Sequence, residues 1–237
     1  MSIDLITIKN PKSPIAEAYR TLRTNIQFSN IDGNLQTICV TSSGPGEGKS
    51  TTISNLAETF AQSGNRVVII DCDLRKPRLH KVFQLTNSIG MTNLLAGQNI
   101  IEDVTHITGS DLTVITSGPI PPNPSELLGS QKMKKILDDL KQRYDIILID
   151  APPVGVVTDA AILSTIVDGT ILVVASGKTE IDGAKRAKQL LENVGARILG
   201  VTMTMIPVSK KGYYGYQYYS YYDEEEMVAP KKKLGRR

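Results

Sequence analysis

Short runs of apolar residues at 38–40, 67–70, 146–149 and 170–174 stand out along the chain. Each is rich in β-branched side chains and bounded by polar or turn residues. None alternates with polar positions, so each predicts a strand buried on both faces, as in a parallel sheet. Between them, apolar positions recur with helical spacing at 50–62, 125–142 and 182–193. This alternation predicts a layered α/β domain, mostly parallel sheet flanked by helices. Ahead of the first strand, Ser13-Pro14 reads as a helix start, a serine cap followed by proline at the first helical position. On the helix it opens, Ile15, Tyr19, Leu22 and Ile26 share an apolar face, and Glu17, Arg20 and Arg23 make a drifting charged stripe.

Two stretches break this rhythm. Gly118-Pro119-Ile120-Pro121-Pro122-Asn123-Pro124 is a rigid loop ahead of a helix, either a connector or part of a site or interface. The second begins near Lys210. Seven of the nine tyrosines (Tyr213, Tyr214, Tyr216, Tyr218, Tyr219, Tyr221 and Tyr222) crowd together there, followed by Asp223-Glu224-Glu225-Glu226. Glycines and charges without apolar periodicity predict a disordered tail. The 237 residues suit one large domain with that tail. The expected divisions are an N-terminal lead and helix over 1–35, the α/β domain over 36–208 and the tail over 209–237.

Composition narrows the function classes. A 41% hydrophobic content supports a real core, and a net charge of +3 makes no case for nucleic acid. Basic residues cluster at Lys231-Lys232-Lys233 and Arg236-Arg237, a solvated end. Cys39 and Cys72 lie in apolar runs with neither metal-site nor disulfide spacing, which predicts a reducing compartment. No window approaches 18 apolar residues and no secretory pattern opens the chain, so membrane association is expected through a partner.

The chemistry is concentrated after the first strand. Ser43-Gly44-Pro45-Gly46-Glu47-Gly48-Lys49-Ser50 joins a strand to a helix, as a Walker A loop must, with Thr51 next in the helix. Backbone N–H groups there can wrap phosphates, and the helix N-terminus adds its positive dipole end. Lys49 is placed to reach the β- and γ-phosphates and Ser50 to put its hydroxyl on Mg²⁺. The strict motif begins with glycine, where this chain has Ser43. The strand at 67–70 ends in Asp71-Cys72-Asp73, and the strand at 146–149 ends in Asp150. Carboxylates just past buried parallel strands lie at the sheet edge where open α/β folds bind ligands. Asp150 is the Walker B candidate for Mg²⁺. Asp71 and Asp73, two residues apart, point the same way and could serve one metal and one proton.

These residues resemble the bacterial tyrosine kinases, or BY-kinases, of capsular and exopolysaccharide systems, over roughly residues 10–225. Glu17-Ala18-Tyr19-Arg20-Thr21-Leu22-Arg23 is similar to the family's ExxRxxR oligomerisation motif. The proline-containing Walker A loop, Ile69-Ile70-Asp71-Cys72-Asp73-Leu74-Arg75, the Walker B strand, Pro121-Pro122-Asn123-Pro124-Ser125-Glu126-Leu127-Leu128 and the tyrosine cluster add to the resemblance. It implies a P-loop fold of the MinD/ParA kind and ATP with Mg²⁺, bound by Ser50 with Asp71 and Asp150 ordering its water shell. It implies that Asp71 or Asp73 accepts the tyrosine proton, since a phenol of pKa about 10 is a poor nucleophile until deprotonated. Lys49 and Arg75 are implied to neutralise charge on the phosphoryl group. The seven clustered tyrosines are the implied phosphorylation sites, and other tyrosine-bearing proteins the implied substrates. The implied partners are neighbouring subunits in a ring and a transmembrane adaptor of the polysaccharide co-polymerase type, which holds a cytoplasmic kinase at the membrane. Related ATPases often read adenine with an Asn after the late strand, where Thr204 stands here. The alternative is a partitioning ATPase of the ParA or MinD kind. Those chains usually carry a lysine at the position of Gly44 and have little use for clustered tyrosines. A third reading, a tail stacking on single-stranded nucleic acid, is opposed by the acidic run beside the tyrosines.

Overall fold

The computed structural model describes residues 4–29 and 35–207. The tyrosine cluster and the charged runs after it lie outside the described residues. A compact unit spans Met1–Met205, and a second, Ile206–Arg237, falls almost wholly in the undescribed part.

The elements follow the alternation that the apolar runs predict. The lead holds a one-turn helix, α1 (Ile6–Lys9), and then α2 (Pro14–Phe28). β1 (Thr37–Ser42), α3 (Lys49–Gln62) and β2 (Val67–Asp71) form the first strand-helix-strand unit. Short pieces follow: α4 (Leu79–Val82), α5 (Met91–Leu95), α6 (Ile101–Val104), β3 (Thr105–Ile107) and β4 (Thr113–Ile115). The second half runs through α7 (Pro124–Leu128), α8 (Gln131–Lys141), β5 (Ile146–Asp150), α9 (Asp159–Ser164), β6 (Gly169–Ala175), α10 (Ile181–Asn193) and β7 (Ile198–Thr204).

The seven strands lie in the order β3-β4-β2-β5-β1-β6-β7, parallel throughout except for the β3–β4 pair at one edge. Alternate residues of one strand feed opposite cores. Val68, Ile70, Ile147 and Ile149 pack with Leu137, Leu140, Leu163 and Leu191 on one face. Val67, Ile69, Ile38 and Val40 pack with Ile53, Leu56 and Phe60 on the other. This double burial explains why the strands read as continuous apolar runs. The register sets Asp71 beside Asp150, and Asp150 beside Val40, so the acidic strand ends meet where β1 opens into the P-loop.

The structure departs from the sequence pattern in two places. Ser13 caps α2 as expected, accepting from the Ala16 amide at 3.1 Å, and Ile26 is buried, but Ile15 is 45% exposed. Ile15 lies only about 20° around the helix from Ile26, and its exposure goes with its place in the first turn, at the end of the helix. The helix expected over 125–142 is two helices. Gly129 ends the first, and the Ser130 hydroxyl accepts from the Met133 amide at 3.2 Å to start the second. The lead packs against the domain. Leu5 is buried, and Thr7 donates its amide and hydroxyl to Asn55 Oδ1 at 3.2 and 3.0 Å, tying α1 to α3.

Candidate active site

The P-loop connects β1 to α3, and its two inner glycines have left-handed backbones, with φ of +69° at Gly46 and +86° at Gly48. L-residues rarely adopt these angles, which is why glycine stands at both positions. Gly48 caps α3, so Lys49, Ser50 and Thr51 occupy its first turn with their amides free of i−4 partners within the helix.

Lys49 is buried, and its ammonium sits 2.5 Å from Asp150 Oδ1 and 3.7 Å from Asp73 Oδ2. Ser50 donates its hydroxyl to Asp150 Oδ2 at 2.6 Å. Asp150 thereby joins the Walker lysine to the Walker serine. Asp71 is wholly buried; its Oδ2 accepts from the Arg78 and Leu79 amides at 3.0 and 2.9 Å, and its Oδ1 from the Asp73 amide at 3.2 Å. Asp73 is slightly exposed at 7% and accepts from the Lys76 amide at 3.0 Å.

Three carboxylates around one ammonium leave the cluster acidic. Burial, reinforced by the Asp150 charge, pushes Asp71 up to about 7 against its backbone hydrogen bonds and Lys49. Burial also raises Asp73, opposed mainly by Lys49. Lys49 is pulled down by burial, but the charges of Asp150 and Asp73 outweigh this and its pKa rises, so it stays an ammonium. A surplus of hard oxygen donors beside a serine hydroxyl fits Mg²⁺. Among the described residues no three acidic, imidazole or thiol side chains form a ready metal cage. That also fits Mg²⁺, which usually takes one or two protein ligands and completes its shell with water and phosphate.

The outer side of the loop carries contacts that the motif does not announce. Glu47 is buried, and its carboxylate accepts from the Gly44 amide at 2.9 Å and from the Thr179 hydroxyl at 2.5 Å. The Ser43 hydroxyl lies 2.7 and 2.9 Å from the two carboxylate oxygens. Lys178 donates to the Gly46 carbonyl at 2.8 Å, and Thr204 to the Glu47 carbonyl at 2.6 Å. Pro45 and Gly46 are exposed at the crest of the loop.

Arg75 turns to a different partner from the lysine cluster. Its guanidinium forks onto the buried Asp159 at 2.8 and 3.0 Å and donates to Ser125 at 2.9 Å; Ser125 in turn donates to Asp159 at 2.6 Å. The proline-rich loop, the segment after β2 and the start of α9 are thus tied at one point. On α2, Arg20 pairs with Glu17 at 2.8 Å and the Pro11 carbonyl at 2.5 Å, and Arg23 donates to the Thr59 carbonyl at 2.7 Å. Lys178 and Thr179, in the loop after β6, Ser125 in α7 and Asp159 at the start of α9 escape a motif search because they come from three separate segments. Only the resemblance of 121–128 to a family stretch drew attention to any of them.

A phosphate loop at a helix N-terminus, with acidic strand ends on its lysine and serine, defines a P-loop protein that binds nucleotide with magnesium. The AAA domain family matches residues 35–200. The tyrosine-protein kinase YwqD of Bacillus subtilis is 44% identical over 91% of this chain and 92% of its own. The chimerical protein CapA2B2 superposes with a TM-score of 0.83 at 43% identity, covering 86% of this chain and 90% of that one. The kinase domain of Escherichia coli tyrosine kinase ETK gives 0.84 at 32% identity, over 90% and 84%. The chain belongs to the bacterial tyrosine-protein kinases and is itself a protein-tyrosine kinase. The septum site-determining protein MinD of Pyrococcus horikoshii, complexed with Mg-ADP, shares the fold less closely, with a TM-score of 0.59 at 25% identity.

Proposed function

We propose that the chain transfers the γ-phosphoryl group of ATP to tyrosines of its own C-terminal cluster, Tyr213, Tyr214, Tyr216, Tyr218, Tyr219, Tyr221 and Tyr222, on a neighbouring subunit, and to tyrosines of other proteins. The observation that carries this reading is the Lys49–Asp150–Ser50 triangle, with Asp73 at 3.7 Å from the same ammonium. Ser50 would hold Mg²⁺ with Asp150 ordering its waters and Asp71, beside Asp150 but closed off by backbone amides, adding negative charge; the ion would supply charge neutralisation at the phosphates. The backbone amides of 46–51 bind the triphosphate, and Lys49 moves its ammonium from the carboxylates onto the β- and γ-oxygens.

The tyrosine oxygen attacks the γ-phosphorus, the bond to the bridging oxygen breaks, and ADP leaves. The phenol proton passes to a carboxylate. Asp73 is the better placed of the two candidates, because both oxygens of Asp71 already accept backbone hydrogen bonds and its side chain is sealed off. Raised by burial, Asp73 is a stronger base than a solvated carboxylate. Arg75, fixed by Asp159 and Ser125, contributes positive charge at the rim.

Among the described residues no helix is long and apolar enough to cross a membrane. We infer a transmembrane adaptor of the polysaccharide co-polymerase type that recruits the kinase to the inner membrane face, within a system making capsular or extracellular polysaccharide. Glu17, Arg20 and Arg23 form the edge through which subunits assemble in a ring. Tyr221 lies at most about 40 Å of extended chain from Lys210, enough to reach an adjacent site. Transfer between subunits is tested by mixing a Lys49→Ala chain that keeps its tail with an active chain truncated after Val208. Phosphotyrosine on the Lys49→Ala chain is the expected result. Its absence while the two chains co-assemble rejects transfer in trans.

A further inference from the structure

We propose that Glu47 is a positioning residue that shapes the phosphate cradle, and that Thr179 and Thr204 hold it from the ends of β6 and β7. The inference deepens the ATP reading above and rests on it.

A cradle for phosphates needs its backbone amides turned inward, which turns carbonyls outward. Every buried or half-buried carbonyl so turned needs a donor. The buried Glu47 has a donor for its carbonyl, the exposed Gly46 carbonyl is bonded as well, and neither donor comes from the loop itself. Lys178 serves the Gly46 carbonyl, and Thr204 serves the Glu47 carbonyl. The fit is close, since a methyl on Gly48 would stand 3.3 Å from the Thr204 hydroxyl and methyl groups.

The Glu47 side chain does the corresponding work at the start of the loop. A carboxylate beside a triphosphate is unfavourable unless its charge is held away from it. Here the Ser43 hydroxyl, the Gly44 amide and the Thr179 hydroxyl hold the carboxylate, while Lys49 pairs with Asp150 and Asp73. Ser43 at the position where the strict motif has glycine becomes intelligible, because its hydroxyl is one of those donors. Side chains hold the loop in its curve, which lowers the ordering that binding a triphosphate costs. The same geometry changes the reading of Thr204. Its hydroxyl already donates to the loop, so the residue shapes the phosphate site instead of reading the base.

The test uses the full chain and two competitors, MgATP and inorganic triphosphate, each displacing a fluorescent ATP analogue. Thr204→Val should weaken both competitors about tenfold and in parallel, the loss expected for one hydrogen bond withdrawn from a half-buried group, and Glu47→Ala, which removes three, at least as much. Thr204→Ser should restore both. Unchanged affinity for both competitors in either variant, or no recovery with Thr204→Ser, overturns the proposal. So does a loss for MgATP alone, which would make Thr204 a base reader. If neither competitor displaces the analogue from the unaltered chain, the ATP reading itself fails.

Discussion

Gly155 sits in the turn after β5, and a Cβ built on it would stand 2.2 Å from the Ser43 carbonyl oxygen and 3.3 Å from its carbon. Ordinary van der Waals contact between heavy atoms needs about 3.5 Å, so Gly155→Ala requires roughly 1 Å of backbone movement. The turn has little freedom to retreat. The Ala151 amide donates to Val40 at 3.0 Å, the Val154 amide to Ser42 at 2.9 Å, and the Thr41 hydroxyl to Pro152 at 2.7 Å. The movement therefore falls on Ser43, the first residue of the P-loop and the partner of Glu47. Overpacking of this kind costs about 1–3 kcal/mol, a fall in Tm of roughly 3–10 °C for a chain of this size. Misplacement of the cradle by about 1 Å costs catalysis up to about a hundredfold. The assay pairs thermal melting with phosphotyrosine formation as a function of MgATP. A folded Gly155→Ala protein with weakened MgATP binding and at least tenfold lower kcat/KM is the expected outcome. Wild-type binding and rate would show that the Ser43–Gly155 approach does not set the loop.

Three further outcomes follow from the geometry. Asp159→Asn should lower phosphotyrosine formation about tenfold by loosening Arg75, because a charge-assisted hydrogen bond is worth about 1.5–3 kcal/mol; steady-state rates check this. Asp168 accepts from the Gln36 and Thr37 amides, the Thr37 hydroxyl and Lys141. Burial pushes its pKa up, but these hydrogen bonds outweigh burial and hold it below the usual carboxylate value. Its stabilisation is thus fully present above about pH 4 and lost as pH falls through the depressed native value; urea midpoints at acid and neutral pH should differ less in Asp168→Asn than in the parent. Cys39 and Cys72 are wholly buried, and burial pushes the Cys39 thiol up to about 12 and Cys72 well above its usual value. Neither should react with a thiol reagent at pH 8 until denaturant is added, a contrast read by absorbance.

The strands β1, β2, β5 and β6 and the P-loop were legible because each carries its signal locally. A run such as Val67-Val68-Ile69-Ile70 is buried on both faces and must be apolar throughout, and Gly46 and Gly48 announce their positive φ. The short strands β3, at one edge, and β4 beside it were not legible, since three residues are too few to show a period. The break at Gly129-Ser130 was hidden because apolar spacing continues across it. At the site, Lys49, Ser50, Asp73 and Asp150 could be placed together from the end of each strand. Asp159 and Thr179 could not. Their contacts with Arg75 and Glu47 depend on how separate loops approach, which the sheet order decides and no single segment records.

The central claim is that this P-loop cluster moves phosphate from ATP to tyrosine instead of to water. Intact mass and phosphosite mapping of the full chain, incubated with ATP and Mg²⁺ and run beside Lys49→Ala, address it most directly. The expected result is added phosphates on tyrosines within 213–222 of the parent chain, none without Mg²⁺, and none in Lys49→Ala alone. Phosphate release into solution by the parent chain with its tyrosines unmodified would contradict it.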